Sequence, residues 1–250
     1  MKVTSYRVEC AKLPQRLRIA VVADVHADFG KPVLPLLQKA APDLILVPGD
    51  LTEQSEIASG GAESLRFLSA MRELAPVVYA AGNHEVGCFH SGNPVRHPSP
   101  QPLPATYRQA LADRGILSVE NECRELDGIL FCGLGTGIRD GRNEPDAAVL
   151  ESFRALPSDR VKILLSHHPE YYPTALAGLG MDLIVCGHAH GGQWRIFGRG
   201  IYAPGQGLFP RYTAGLHGGK CVISRGISGC TRIPRIFNAP EIPLIEFGGN

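Results

Sequence analysis

Short apolar runs alternate with amphipathic segments along the first 190 residues. Runs rich in β-branched residues or leucine and bounded by turn residues are typical of buried parallel strands. Six such runs predict strands at 17–23, 44–47, 77–80, 129–132, 161–165 and 183–186. The segments between them predict helices at 33–40, 62–74, 106–114 and 145–156. Strands that alternate with helices indicate a layered α/β domain.

The pattern changes after His190, where glycine-rich short strands replace the helices. We therefore expect residues 191–250 to add antiparallel strands and loops to the same core, and we treat 1–250 as a single domain. Segment 91–104 contains five prolines and cannot form a helix or a central strand. It is either a rigid surface loop or, as we slightly favour, a lid or wall over a site.

Side chains that can bind metals follow five of the predicted strands. Ligands of open α/β sheets gather at the carboxyl ends of the strands, so we expect these side chains to converge. In extended backbone, residues two apart share a face, which lets Asp24 with His26, and His188 with His190, direct two donors to one point. A donor set without thiolate suits Mn, Fe, Zn or Co rather than structural zinc. The clusters are Asp24-Val-His26, Gly49-Asp50, Gly82-Asn83-His84-Glu85, His167-His168 and Gly187-His188-Ala-His190.

These clusters, in this order, resemble the motifs D-x-H, G-D, G-N-H-[DE], H and G-H-x-H of the calcineurin-like metallophosphoesterase superfamily. They extend from Asp24 to His190, about two thirds of the chain. Each motif alone is weak evidence, but the complete set is highly specific. The tail is similar to that of a bacterial branch of small phosphodiesterase-like proteins, in segments 187–193, 222–228 and 240–242.

The resemblance implies a four-layer α/β/β/α sandwich with mixed sheets, which replaces the simpler idea of one open parallel sheet. It also implies two divalent cations, with Mn favoured and Fe, Zn or Co as alternatives. Two such cations orient a shared water for attack on phosphorus. By matching position, Asp24, His26 and His190 hold one metal, Asn83, His167 and His188 hold the other, and Asp50 bridges them.

His84 matches the family histidine that contacts the phosphoryl group and protonates the leaving oxygen, so we expect His84 and Asp50 to be the catalytic residues. Many phosphatases of the superfamily have an aspartate three residues after the bridging one, where it orients this histidine. Here that position is Glu53, whose extra methylene changes its reach. His168 is interpreted as a supporting or structural residue and Cys88 as a buried thiol. His90, His97 and His217 match no motif and are interpreted as surface residues.

The seven cysteines are odd in number, scattered and without a C-x-x-C pair. We therefore predict no disulfide framework and no zinc-thiolate site. A reducing compartment fits these cysteines best. No apolar run reaches the ~18 residues needed to cross a bilayer, and the amino terminus lacks the apolar stretch of a signal peptide. These features favour a cytoplasmic protein, with peripheral membrane contact left open.

The near-neutral total of 25 basic and 24 acidic residues conceals an uneven distribution. Segment 183–240 contains seven Lys and Arg residues and no acid, and aromatic residues are interspersed within 194–212. This combination suits an amphiphilic phosphate compound, a nucleotide or a lipid interface. The alternative is an ordinary surface neutralised by the rest of the chain. Because no long basic face is visible outside this segment, no nucleic-acid partner is expected.

The sequence thus predicts a two-metal hydrolase of phosphoester bonds, acting on a phosphorylated small molecule or a lipid-like substrate. We favour a phosphodiesterase or a pyrophosphatase on a lipid-linked or nucleotide-type compound. The runner-up is a phosphomonoesterase acting on small molecules or phosphoproteins. A non-catalytic scaffold with the same fold is less favoured because every motif position is occupied. The oligomeric state is left open.

Overall fold

The computed structural model describes residues 1–88, 99–139, 142–203, 206–229 and 234–249. No helix in these ranges is long and apolar enough to cross a lipid bilayer. The helices are α1 (Val33–Ala40), α2 (Gln54–Ala58), α3 (Ala62–Arg72), α4 (Ala105–Asp113) and α5 (Ala147–Arg154). Single helical turns occur at Pro169–Tyr171, Tyr172–Leu176 and His190–Gly192. The strands are β1 (Lys2–Val8), β2 (Leu17–Val21), β3 (Leu44–Val47), β4 (Val77–Tyr79), β5 (Leu117–Ser118), β6 (Cys123–Leu126), β7 (Ile129–Leu134), β8 (Ile138–Arg139), β9 (Arg142–Asn143), β10 (Val161–Ser166), β11 (Leu183–Cys186), β12 (Arg195–Ile196), β13 (Arg199–Gly200), β14 (Tyr202–Ala203), β15 (Gly207–Leu208), β16 (Gly215–His217), β17 (Cys221–Ile223) and β18 (Glu241–Phe247).

The described strands form two six-stranded mixed sheets and three two-stranded hairpins. The first sheet has the order β1-β18-β2-β3-β4-β5, and the second has the order β16-β17-β11-β10-β7-β6. All six strands predicted from the apolar runs lie in parallel ladders, β2-β3-β4 in one sheet and β7-β10-β11 in the other. The tail adds antiparallel pairs as expected, namely β12–β13, β14–β15, β16–β17 and β18–β2. It differs from expectation in part, since β17 is parallel to β11 and β18 is parallel to β1.

Alternating side chains show how the layers stack. In β2, Ile19 and Val21 pack between the two sheets, while Ala20 faces the cluster that holds the buried residues of α1, α3 and α4. In β10, Ile163 and Leu165 face the same space between the sheets, and the residue between them packs toward α5. Because successive residues of a strand point to opposite faces, each sheet buries both of its faces. The architecture is therefore the expected α/β/β/α sandwich.

One disulfide corrects the expectation from the cysteines. Cys123 and Cys132 are joined across the antiparallel pair β6–β7, in which they are direct partners. Asp127-Gly128, which lies between the two strands, is a hairpin signal in the sequence and places the two cysteines opposite each other. Disulfides persist mainly in oxidising compartments, so the cysteines do not support the predicted reducing compartment. The cytoplasmic location therefore stays a prediction. Cys88 is buried as expected, and burial raises the pKa of its thiol to about 11.

Candidate metal centre

Six of the seven predicted ligands, from four strand ends, lie together at the carboxyl edge of the two sheets. The seventh, Asn83, precedes His84, whose N–H donates to Oδ1 of Asp50 at 2.9 Å. One donor atom from each of Asp24, His26 and His190 lies within 4.8 Å of the others. Asp50, His167 and His188 form a second group with the same spacing. Six donors from β2, β3, β10 and β11 thus form two adjacent groups.

Asp50 lies between these two groups. Its Oδ2 is 3.0 Å from Nε2 of His167 and 3.8 Å from Nε2 of His26. Asp24 is also close to both, since its Oδ1 lies 4.0 Å from Nε2 of His167 and 3.9 Å from Nε2 of His190. A single carboxylate therefore reaches both groups, as a bridging ligand must.

Several donor atoms of the centre are buried and lack a hydrogen-bond partner among the described residues. They include Oδ2 of Asp24, Oδ1 of Asn83 and Nε2 of His188. Buried polar atoms are nearly always paired, so each of these atoms needs a partner of another kind. Bound cations would satisfy these atoms, and a set of carboxylate, amide and imidazole donors suits divalent metals. The residues present therefore fit a metal centre.

Hydrogen bonds orient two of the imidazoles toward the centre. Nδ1 of His167 donates to the carbonyl of Pro48 at 3.0 Å, and Nδ1 of His190 lies 3.1 Å from the carbonyl of Ser228. Holding Nδ1 in this way fixes the ring and directs Nε2 at a metal.

The charge states also favour cation binding. Burial, reinforced by the neighbouring His168, holds the pKa of His188 well below its usual value, so this imidazole is neutral and can act as a ligand. Burial opposes ionisation of Asp50, but His167, His84 and His26 together outweigh it and keep the pKa of that carboxyl well below its usual range. Burial lowers the pKa of His167, but Asp50 outweighs this effect and raises it to about 9, so a cation must displace the proton of this ring in order to bind there. The centre thus presents an ionised carboxylate beside a neutral imidazole.

The loops that carry the predicted ligands leave the strands through left-handed backbone. A positive φ costs about 1–2 kcal/mol for an ordinary residue, and Asp, Asn and His tolerate it best. Asp and His therefore suit these turns as well as the chemistry. The residues concerned are Asp24 (φ 54°), His26 (51°), Asp50 (53°), His188 (65°) and His190 (45°).

Glu85 holds the loops after β3 and β4 together. Its carboxylate accepts backbone N–H bonds from Asp50 at 2.9 Å, Leu51 at 2.6 Å and Gly82 at 2.8 Å. Gly82 must be glycine, because a Cβ there would lie 2.3 Å from Oδ1 of Asp50. The sequence placed Glu85 in a motif but did not indicate this role.

Glu53 connects two histidines of the centre. Its Oε2 lies 2.8 Å from Nδ1 of His84, and its Oε1 lies 3.3 Å from Nδ1 of His26. Burial opposes ionisation of Glu53, but hydrogen bonds from His26 and His84 lower its pKa to about 2. The longer glutamate side chain therefore reaches His84, so the contact that its extra methylene left open is present.

His168 is buried beside the second group rather than exposed to solvent. Its Nε2 lies 2.9 Å from Oγ1 of Thr136, and its Nδ1 lies 3.1 Å from Oε1 of Glu170. The ring is 4.4 Å from that of His188, so it packs against a predicted ligand as a supporting residue. Glu170, which the sequence did not single out, also lies 3.9 Å from Nε2 of His188.

Two further residues support His190 from the tail. The side-chain amide of Asn238 donates to the carbonyl of His190 at 2.6 Å, and Nη2 of Arg235 donates to the Ser228 carbonyl that also accepts from Nδ1 of His190. The only sequence signal for either residue was the basic character of the tail. His217 is half-buried, with Nε2 3.1 Å from the carbonyl of Ala214. His90, His97 and most of the proline-rich segment lie outside the described residues, so the lid stays a prediction.

Comparisons with known proteins find relatives named as metallophosphoesterases and as a phosphodiesterase. An uncharacterized metallophosphoesterase of Helicobacter pylori is 26% identical over 188 residues, which are 73% of this chain and 46% of that protein. The chain thus spans about half the length of this relative. The phosphodiesterase YaeI of Escherichia coli is 28% identical over 243 residues, with 92% of this chain and 81% of that protein covered.

A solved structure shares the fold. The dimetal phosphatase from Danio rerio superposes with a TM-score of 0.50 at 11% identity, covering 84% of this chain and 87% of that one. The family model described as calcineurin-like phosphoesterase matches residues 17–192. The chain therefore belongs to the calcineurin-like phosphoesterases.

Proposed function

We propose that this enzyme uses two divalent cations to hydrolyse a phosphodiester or pyrophosphate bond in a lipid-linked or nucleotide-type substrate. The observation that carries the proposal is the position of Asp50, whose Oδ2 lies 3.0 Å from Nε2 of His167 in its own donor group and 3.8 Å from Nε2 of His26 in the other. A scaffold that had lost catalysis would have no reason to keep this set of buried donors without partners.

The first cation would be held by Asp24, His26 and His190, and the second by Asn83, His167 and His188. Asp50 would bridge them. The unpartnered oxygens of Asp24 and Asn83 support this division. When bound, the two cations supply an activated water as nucleophile and neutralise charge on the phosphoryl oxygens. Oxygen and nitrogen donors suit manganese, which we favour, and also iron, zinc or cobalt.

His84 would be the acid that protonates the leaving oxygen. Glu53 holds its Nδ1, which leaves Nε2 directed toward the centre, 3.9 Å from Oδ2 of Asp50. The ionised Glu53 stabilises the protonated ring, and 17% of the His84 side chain is exposed, so an incoming substrate can reach it. An imidazole suits proton transfer because both of its charge states are accessible near neutral pH.

The substrate class rests on two observations. Segment 183–240 has no acidic residue and leads directly out of the metal centre, which favours a large anionic substrate. The relative YaeI carries the name phosphodiesterase. A monoesterase needs only a small phosphate pocket, and neither observation favours it.

The test is turnover of a nitrophenyl phosphodiester and of the matching monoester by the full chain. We expect no hydrolysis after chelation, recovery with added manganese, and faster cleavage of the diester. Elemental analysis of the reloaded protein should show two metal ions per chain. Faster monoester cleavage would contradict the substrate class, and a stoichiometry of one would contradict the two-cation mechanism.

A further inference from the structure

Three phenylalanines of the tail project from turns into solvent. Phe197 is 100% exposed, Phe237 is 88% exposed and Phe209 is 75% exposed. All three have left-handed backbone, with φ of 48°, 53° and 51°. A bulky residue rarely adopts this conformation, and Gly or Asn is the usual choice for such a turn. Folding alone therefore does not explain phenylalanine at these positions.

The three turns belong to one hydrogen-bonded unit. The Phe209 N–H donates to the carbonyl of Ile201 at 2.8 Å, and the Ile201 N–H donates to the carbonyl of Trp194 at 2.8 Å. The Arg195 N–H donates to the carbonyl of Ile236, which connects the first hairpin to the segment before Phe237. We call this unit the aromatic surface and define it by its exposed apolar residues Trp194, Ile196, Phe197, Tyr202, Leu208, Phe209, Ile236 and Phe237.

A basic groove of about 600 Å³ adjoins the aromatic surface. Arg195, Arg199 and Arg211 line it together with Phe209. Arg195 is engaged by the carbonyls of Gly191 and Gly198. Among the described residues, neither Arg199 nor Arg211 has an acidic side chain within 4.0 Å, although Arg211 lies over the ring of Tyr212. These two guanidinium groups remain able to bind an anion from outside the chain.

The partner that matches both features has apolar chains beneath a layer of phosphate groups. An exposed apolar patch marks an interaction site, and aromatic side chains favour the interface between water and lipid. Arginine pairs well with phosphate oxygens, and basic residues are attracted to anionic lipids. A protein partner would need acidic groups to complement the groove, whereas an anionic bilayer supplies charge and an apolar interior together.

We propose that the aromatic surface docks on a bilayer containing anionic phospholipids, with Phe197, Phe209 and Phe237 inserted and Arg199 and Arg211 on headgroup phosphates. The surface begins beside the metal ligand His190, whose carbonyl accepts from Asn238 in the same tail. Docking there brings the metal centre close to the lipid layer. Binding to the bilayer does not depend on the proposed function. Only the purpose of that binding, which is to bring the metal centre to a lipid-linked substrate, rests on it.

The experiment is sedimentation of the full chain with vesicles of phosphatidylcholine alone or mixed with phosphatidylglycerol. We expect binding to the mixed vesicles that weakens with added salt, and little binding to phosphatidylcholine. Trp194 is the only tryptophan and is 44% exposed, so its emission should shift to shorter wavelength on binding. Absence of binding to the mixed vesicles would overturn the proposal.

Substitutions identify the surface responsible. The triple variant Phe197→Asn, Phe209→Asn, Phe237→Asn should bind mixed vesicles at least about tenfold more weakly, because apolar insertion is lost. The double variant Arg199→Gln, Arg211→Gln should lose the preference for anionic lipid. Leu74→Asn and Arg66→Gln remove an exposed apolar and an exposed basic residue elsewhere and should bind as the unsubstituted chain does. Unchanged binding by the triple variant would overturn the proposal.

Two further measurements keep the result interpretable. Thermal unfolding and metal content of each variant should match the unsubstituted chain, since Asn fits the left-handed turns. Light scattering without lipid should show no self-association that depends on the three phenylalanines. A dimer that forms through these phenylalanines and does not bind vesicles would overturn the proposal. Vesicle binding by a chain that hydrolyses nothing would refute the proposed function alone, and hydrolysis without vesicle binding would refute this inference alone.

Discussion

The metal centre and the aromatic surface are neighbours in the chain, yet the first buries polar side chains and the second exposes apolar ones. At His190 a polar ring is buried and oriented by hydrogen bonds, whereas four residues later Trp194 is 44% exposed. The centre is built on the ends of buried parallel strands, and the surface is built on two-residue strands joined by turns. The comparison indicates that the packed sheets hold the metal-binding side chains in place. The short hairpins can change in sequence without disturbing those side chains, and they can determine which surface the protein binds.

The largest expected effect is at the point where the two donor groups meet. Asp50→Ala removes the carboxylate that adjoins both groups, so turnover with manganese should fall more than about a thousandfold and metal content should fall below two ions per chain. The exposed Asp113→Ala is the matched control and should retain both. Full metal content in Asp50→Ala would show that the carboxylate does not bridge.

His84→Ala separates proton transfer from metal binding. Turnover should fall about a hundredfold or more because the leaving oxygen loses its acid, while metal content should stay unchanged. Glu53→Gln should give a smaller loss, since it weakens the orientation of the ring without removing it. His217→Ala is the control for loss of a partly buried histidine outside the centre. A metal-free His84→Ala protein would assign this residue to the ligands instead.

Glu85→Gln tests how the strand ends are held. The amide has one acceptor atom and cannot replace a carboxylate that accepts several backbone N–H bonds, so the free energy of unfolding should fall by about 3 kcal/mol. Urea unfolding with chelator in every sample removes the metal contribution from the measurement. The exposed Glu122→Gln should stay within about 0.5 kcal/mol of the unsubstituted chain. Equal midpoints for the two variants would rule out the structural role of Glu85.

The smallest expected effect on stability lies on the aromatic surface. Each of Phe197→Asn, Phe209→Asn and Phe237→Asn should change the free energy of unfolding by no more than about 0.5 kcal/mol, or raise it, because the exposed ring packs against little and Asn fits the turn. Phe131→Asn at a buried position should cost about 3 kcal/mol or more. A large loss in any of the first three would mean that its ring stabilises the fold rather than serving a partner.

The sequence predicted the parts of the fold that are buried on both faces. Strand β3 reads Leu-Ile-Leu-Val and is buried throughout, so its apolar run is continuous. Strand β1 is a partly exposed edge with mixed side chains, and β18 contains Pro243, so neither shows a clear pattern. Their pairing joins the two ends of the chain, which no local signal reveals.

The sequence likewise predicted one part of the candidate site, the donors, and missed the residues that hold the donors in place. The predicted donors were visible because each motif is local and follows a strand. The residues that hold them were not, since their contacts cross long distances in sequence. Asn238 reaches His190 over 48 positions, and Glu85 reaches Asp50 over 35. Only the folded chain shows that these hydrogen bonds exist.

The left-handed backbone at the ligand positions has a consequence for how this fold diverges. A turn with positive φ accepts Asn or Gly readily but resists β-branched residues. If Asp24 holds a metal as proposed, its replacement by Asn would weaken metal binding and keep the turn, whereas Val would disturb both. Homologues that have lost catalysis but kept the fold should therefore carry asparagine or glycine at these positive-φ positions.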